Sequence, residues 1–496
     1  MTRSVEVDLE TEVDVVVVGA GTAGIPCAVE AARAGARVLL VEKDVRVGGT
    51  LPLSGGHLSA AGTSLQRERG IEDSPAEHLA DIRRISGGTA REDLVRVLVE
   101  QAPATLEWLL AEGFVASPET PRIIYGHEPY RTPRTYYGRD AGASVLAVLN
   151  RLLEETRASH ELTLWTGAPV TGLLMGDDGA ACGVEVLRGG DECVVRAGAV
   201  VLATGGYGAD PELFAELDGA PLVSAAAPTS TGDGLHLGRS VGAALQGAGT
   251  YLPSFGGLPD AQTPGRAAWT DRPRLTSERD PWEIYVDRAG RRWVAEDEES
   301  IDAKERALAA CVKDLTFWMV LDDVALSAAS GGMRQLLIGR EPDEVRAMAG
   351  VREGVHGADS LEQLAVEAGI DGDGLVDTVA RYNVAVAAGA DPDFGRTHLP
   401  APIAVPPFYA IRNHAITLIT FQGLDIDASC AVRDEAGEPI RGLFAVGEVI
   451  GSGATCGNSF CSGMLVTPAL TFGRLVGAAL GGAHLPVPVR TPSSRA

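Results

Sequence analysis

The chain has 496 residues, and its 42 basic against 67 acidic side chains leave a net charge of −25. That length can bury the cores of two domains, and the acidity disfavours nucleic acid or an anionic membrane surface as partner. The seven cysteines show no CxxC or CxxCH spacing, which speaks against zinc, iron–sulfur and covalent haem ligation and gives an expectation of no metal. With neither a basic-then-apolar leader nor a long apolar run, the chain is expected to have no membrane segment and to be cytoplasmic.

After a polar lead-in over 1–12, Val15–Val18 predicts a central parallel strand, since four consecutive valines need burial on both faces of a sheet. Gly19, Gly21 and Gly24 follow in GxGxxG spacing, where missing Cβ atoms permit a tight turn, approach of a pyrophosphate and close helix packing. A helix to Gly35 and a strand from Arg37 to Val41 lead to Glu42, an acceptor for ribose hydroxyls, with Lys43 beside it. This strand–turn–helix–strand context makes the glycines a dinucleotide site. Gly48, Gly49 and Thr50 point further, to FAD, and Ser54, Gly55 and Gly56 are placed near its flavin.

Helices are expected over Pro75–Ile85, Arg91–Ala111 and Ala141–Arg157. Between them, Phe114–Arg139 gathers Tyr125, His127, Tyr130, Tyr136 and Tyr137 among prolines, which suits either a pocket wall or an aromatic-pinned surface loop. Strands are expected over Glu161–Trp165, Pro169–Leu174, Ala181–Leu187 and Glu192–Arg196 as a small antiparallel layer, then over Ala199–Ala203. Thr204, Gly205 and Gly206 again let main chain approach a cofactor, and Asp233 opens a helix to about Leu245.

Tyr251 to about Pro400 changes character: it is charged, carries Trp269, Trp282, Trp293 and Trp318, and has no nucleotide motif, which marks a substrate-side domain. Strands are expected at Ile284–Val286, Arg291–Val294 and Thr316–Leu321, and helices at Leu361–Glu367 and Leu375–Ala388. Gly442–Val449, with Gly447 and Glu448 at its end, is a third apolar strand before a final helix over Leu465–Leu480. The tail from Pro486 is expected to be loose.

VVVVGAGTAGIPCAVEAARAGARVLLVEK with VGGT, then LSGGHLSAAGT, VVLATGGYG, TGDGLHLGRSVGAAL, GRRWVAEDEES and GLFAVGEV with ALTFGRLVG, occur in order over nearly the whole chain. They resemble the flavoprotein family of fumarate reductase flavoproteins, succinate dehydrogenase, 3-ketosteroid Δ1-dehydrogenase, tricarballylate dehydrogenase and urocanate reductase. The resemblance implies an α/β fold: a discontinuous Rossmann-like FAD-binding domain (1–250 and 411–496) with an inserted α+β capping domain (251–410). It implies that Gly19, Gly21 and Gly24 hold the pyrophosphate, Glu42 the ribose, Gly49 and Thr50 the phosphate side and Val170 the adenine. Ala203, Thr204, Gly205 and Asp233 belong with this set, and Gly447, Glu448, Gly463, Met464 and Leu465 with the ribityl chain and isoalloxazine.

The departures lie on the substrate side. Leu418–Gly423 stands where the family has a histidine run, Phe460 where it has an arginine or a tyrosine, and Leu326 where it has another arginine; the segment around Thr250 to Pro253 also differs. His57 follows its glycine pair, where the covalent flavin histidine would precede it, so FAD is expected to be noncovalent. The expected activity is desaturation beside a carbonyl of a cyclic ketone, ketosteroid-like compound or small carboxylic acid, with electrons passed to an external acceptor. The alternatives are reduction of an enoate and service as a flavoprotein subunit of an electron-transfer complex. Tyr137, Tyr251, His414, Glu296 and Arg306 are the catalytic candidates, because phenols, an imidazole and a carboxylate–guanidinium region supply acid, base and carbonyl contacts.

Overall fold

The computed structural model describes residues 10–258, 260, 262–267 and 271–482. The lead-in before residue 10, Trp269 and the tail from Pro486 lie outside the described residues. The four valines end the strand Glu10–Val18, which pairs in parallel with Val38–Val41 on one side and Asp191–Leu202 on the other. All four are buried, and each such side chain contributes about 1.5–3 kcal/mol by leaving water.

The sheet order is Ala431–Arg433, Pro439–Ala445, Asp191–Leu202, Glu10–Val18, Val38–Val41, Leu162–Trp165. Because Leu443–Ala445 pairs in parallel with Val200–Leu202, the chain must return after a long excursion to finish this sheet; the Rossmann-like domain is discontinuous. The segments expected separately at 192–196 and 199–203 form one strand, Asp191–Leu202, whose register against Glu10–Val18 continues through Gly198. Its first half also pairs antiparallel with Ala181–Arg188, which pairs with Val170–Met175. Leu162–Trp165 is not part of that antiparallel layer: it extends the parallel sheet beyond Val38–Val41.

Helix Gly24–Arg33 lies so close to the first turn that a Cβ on Gly24 would sit 1.8 Å from the Gly19 carbonyl oxygen. The terminal helix Val466–Leu480 packs on it equally tightly: Cβ atoms on Gly473 and Gly477 would lie 2.3 and 2.2 Å from the carbonyls of Ala23 and Cys27. Two other elements end early. The helix expected to reach Leu245 stops at Ser240, and the strand expected to reach Val449 stops at Ala445, with a short helical turn at Gly447–Ile450.

The inserted unit is built on a second, antiparallel sheet ordered Ser254–Gly257, Phe408–Ile416, Thr316–Asp322, Ile284–Val286, with Val355–Ala358 also paired to Phe408–Ile416. Phe408–Ile416 is one unbroken strand across the expected 410/411 boundary, so residues 411–416 pair with the cap sheet. Helices Leu361–Ala368 and Gly372–Ala388 cover one face through Leu364, Leu375, Val379 and Tyr382. Arg291–Val294 is not a strand; it makes a single bridge, Val286 to Arg292, because Arg292 is drawn into an ionic cluster.

That cluster is centred on Glu296. Its carboxylate accepts from Arg292 at 2.6 Å, from Arg396 at 3.0 Å and from the Tyr285 amide at 3.1 Å, all with the Glu296 and Arg396 side chains wholly buried. Glu296, expected as catalytic, is a tie between the cap's strands and its C-terminal loop. Replacing it strands two buried guanidinium groups, which costs about 3–5 kcal/mol. Glu296→Ala is therefore expected to lower the thermal unfolding temperature markedly while the protein that remains folded keeps its flavin content, measured by calorimetry and by absorbance per mole of soluble protein.

Candidate functional site

The C-terminal ends of the parallel strands and the glycine turns that follow them open onto one cavity of about 580 Å³. Of the residues expected at the cofactor, Gly24, Gly48 and Gly206 are not on its wall, and the others line it: Gly19, Gly21, Glu42, Lys43, Gly49, Thr50, Ser54, Gly55, Gly56, Val170, Ala203, Thr204, Gly205, Asp233, Gly447, Glu448, Gly463, Met464 and Leu465. Gly24 sits behind the turn, where only hydrogen fits. Gly19 itself has φ +102°, and a Cβ there would meet the Ala203 carbonyl at 2.4 Å, so both strand ends approach without side chains between them.

The residues present fit a dinucleotide. The turn that follows the strand Asp191–Leu202 lines the cavity through Ala203, Thr204 and Gly205, where main chain can approach a ligand. Gly21 and Gly49 face each other with no side chain between them, a Cβ on Gly49 falling 3.3 Å from the Gly21 Cα. Glu42 is fixed by amides: Ala20 N–H donates to one of its oxygens at 2.8 Å and Asp44 N–H to the other at 2.9 Å, leaving acceptor capacity on each for ribose hydroxyls. Lys43 is committed to Asp233 at 2.8 Å, which ties the second strand to the helix Asp233–Ser240.

At the other end, Glu448 accepts from both the amide and the hydroxyl of Thr420 at 2.9 Å, and burial pushes its carboxyl above the usual range. The N-terminus of the terminal helix also meets the cavity, through Gly463–Val466. Its partial positive charge suits an electron-rich ring. Beyond these lies a wall of Ala225–Ala227, Leu418, Ile419 and Phe460, with His57, His127 and Arg272. Phe460 stacks on His127 at 4.6 Å and meets Phe421 edge-on at 5.4 Å.

The catalytic candidates are not brought together there. His414 stands on the cap strand with both ring nitrogens engaged, Nδ1 with Thr316 Oγ1 and Nε2 accepting from Arg412 Nε, each at 3.0 Å. Burial, helped by Arg412, lowers it to about 4, so it is a neutral structural imidazole off the cavity wall. Tyr251 is held by Thr417 and by the edges of Phe214 and Phe421, one layer behind Leu418; burial pushes its phenol up to about 12. Tyr137 backs His57, with ring centroids 5.4 Å apart. Arg306 reaches across from the cap to the Asn458 carbonyl and Ser459 hydroxyl, next to Phe460.

Conversely, Arg272 was not singled out by any motif, and His127 only as one member of an aromatic loop. Both lie on irregular chain, where no period or spacing marks a residue that tertiary packing turns inward.

A parallel dinucleotide-binding sheet with an inserted antiparallel sheet, together with the family match, places the chain among flavin-dependent oxidoreductases. A family model described as FAD binding domain matches residues 14–465, and the chain belongs to that family and binds FAD. It is 31% identical over 473 residues to a fumarate reductase (cytochrome) from Shewanella frigidimarina, covering 94% of this chain and 76% of that protein. It is 30% identical over 481 residues to a urocanate reductase from Eggerthella lenta, covering 95% of this chain and 75% of that one. In fold it is similar to 3-ketosteroid Δ1-dehydrogenase from Sterolibacterium denitrificans, with a TM-score of 0.77 at 21% identity, covering 96% of this chain and 100% of that one. Among the described residues no helix is long and apolar enough to cross a membrane.

Two measurements check this assignment of contacts. Glu42→Ala removes the carboxylate that the amides of Ala20 and Asp44 hold in the cavity wall, and FAD affinity is expected to fall by on the order of 10-fold in a fluorescence titration of apoprotein. Acid precipitation is expected to leave the yellow colour in the supernatant; flavin retained in the pellet would show a covalent bond and redirect attention to His57.

Proposed function

We propose that the protein catalyses hydride exchange at a carbon–carbon bond activated by one carbonyl or carboxyl group, in a substrate whose remaining body is apolar. The observation that carries this reading is the wall beyond the glycine-lined cradle, where Leu418, Ile419, Phe460 and Ala225–Ala227 accompany the guanidinium of Arg272. Arg272 is held by the carbonyls of Phe255 and Gly256, at 2.9 and 3.2 Å, so its position is fixed before a substrate arrives. One guanidinium matches one oxyanion. A second carboxylate would be desolvated against aliphatic and aromatic carbon, which is costly without its own partner.

FAD, held by the glycine turns and by Glu42 and Glu448, would supply the two-electron hydride chemistry, with an external acceptor for its electrons. The chain's part is to exclude water with Phe460 and the Leu418–Ile419 segment, to orient the polar handle on Arg272, and to stabilise the oxygen that gains charge when the α proton leaves. Desaturation is the preferred direction. Reduction of an enoate is the second reading, supported by the two reductases to which the chain is 31% and 30% identical.

The direct experiment is anaerobic mixing of the holoenzyme with cyclic ketones, 3-ketosteroids and short monocarboxylic acids, followed through the flavin absorbance. Bleaching by a saturated compound is expected; no bleaching, together with reoxidation of prereduced flavin by enoates, would establish the reverse direction, and silence in both would overturn the reading. With a compound that reacts, Arg272→Gln is expected to raise KM by on the order of 10- to 100-fold, the loss of a charge-assisted hydrogen bond. His414→Gln is expected to retain turnover per bound flavin.

A further inference from the structure

Three polar atoms meet without partners behind the Phe460 wall. His127 Nδ1, Asp302 Oδ1 and Glu305 Oε2 are each buried with no hydrogen bond in the protein, and ligating atoms of the three residues lie within 4.8 Å of one another. The Asp302 and Glu305 side chains belong to residues 0% and 1% exposed. Unpaired buried oxygens are expensive, so their persistence here calls for a use.

The placement is specific. Asp302 and Glu305 lie on one face of helix Ile301–Cys311, whose first turn is capped by the Ser300 hydroxyl; that hydroxyl also contacts Glu128 on the loop that carries His127. The second oxygen of each carboxylate is fixed, Asp302 Oδ2 by the Phe460 amide at 3.1 Å and Glu305 Oε1 by the Phe255 amide at 2.8 Å. The free Asp302 Oδ1 is 3.9 Å from His127 Nδ1. His127 itself is 31% exposed and lines the cavity.

We infer that Asp302 and Glu305 form a buried proton reservoir that exchanges with the substrate's α carbon through His127, the member of the three that faces the cavity. This rests on the proposed function. In the desaturating direction the α C–H bond breaks, its proton goes to His127 Nε2, and the proton on Nδ1 passes to Asp302 Oδ1. The electrons of that C–H bond become the new π bond as the β hydrogen leaves as hydride, for which bound FAD would be the acceptor; reduction would run the same transfers backwards. His127 is the catalytic residue, and Asp302 and Glu305 position and recharge it.

The electrostatics agree with a site made for protons. Burial pushes Asp302 up to about 6 and Glu305 well above the usual carboxylate range, each raised further by a carboxylate, Glu128 in one case and Asp302 in the other. Burial lowers His127 to about 4, with Arg272 and His57 adding to the effect. Arg306 and Lys304 act from the same helix, and the buried Cys456 and Cys461 feel Asp302 from the glycine-rich loop. A divalent cation would have to sit among Arg272, Lys304 and Arg306, whose charges already act on these carboxylates.

The sign of the pH effect follows. Because the native state raises Asp302 from 3.8 to about 6, its contribution to stability is present at acid pH and is lost as pH rises from 3.8 through about 6. Asp302→Asn should flatten thermal stability against pH across that window, a readout that needs no substrate; an unchanged slope would overturn the reservoir. The second readout is exchange of the α hydrogens of cyclohexanone into D2O by holoenzyme with prereduced flavin, followed by NMR. Wild-type exchange above background is expected, with a loss of roughly 100-fold or more in both Asp302→Asn and His127→Gln. Exchange at the wild-type rate in the variants would overturn the relay alone. Absence of exchange and of flavin bleaching with every probe would defeat the functional reading, while the stability slope still decides the reservoir. A stoichiometric metal in the purified protein, lost in Asp302→Asn, would also overturn the proposal.

Discussion

The structure depends on a contact that contains no side chain: the hydrogen of Gly24 against the carbonyl oxygen of Gly19, where a Cβ would lie 1.8 Å away. That contact lets the helix Gly24–Arg33 start directly behind the end of the valine strand, with its first turn open toward the cavity. The same economy repeats one layer out. Gly473 and Gly477 bring the terminal helix onto Ala23 and Cys27, so the last segment of the chain locks the first and carries its own N-terminus to the far end of the cavity. Glycines that look like flexibility in the sequence are here close-packed backbone, and the packing places two helix N-termini on one ligand.

Against this rigid half stands a cap held by buried charge. Glu296, Arg292 and Arg396 tie its strands to its C-terminal loop, a use of ionic groups that fixes geometry more than it adds stability. Polar contacts join the cap to the other half beside the apolar wall: Asp302 takes the amide of Phe460, Arg306 the loop at Asn458 and Ser459, and Ser300 contacts Glu128.

The cofactor half was legible because it is local. GxGxxG, Glu42, the Gly48–Thr50 turn, the Thr204–Gly205 turn and Gly447–Glu448 each sit at the end of an apolar strand, and parallel strands in one sheet present their ends to one side. The catalytic half was not. His414 and Glu296 have suitable chemistry, but the pleat of one strand and the pull of two arginines turn them into structural partners. Tyr137 and Tyr251 stop one side chain short of the cavity, behind His57 and beside Phe421. Asp302 and Glu305 belong to no motif in the sequence, and the fold buries them.

The sequence by itself determined the dinucleotide site, the discontinuous α/β domain around it and the existence of a cap, since those rest on periodicity, on glycine where no Cβ fits and on an acid at a strand end. Only the tertiary structure decided which polar side chains face the substrate. Arg272 and His127 lie on irregular segments, and Asp302 and Glu305 lie on a helix whose orientation is set by the cap sheet beneath it. Their roles depend on long-range packing between segments more than a hundred residues apart, such as Asp302 against Phe460, and no local pattern encodes that distance.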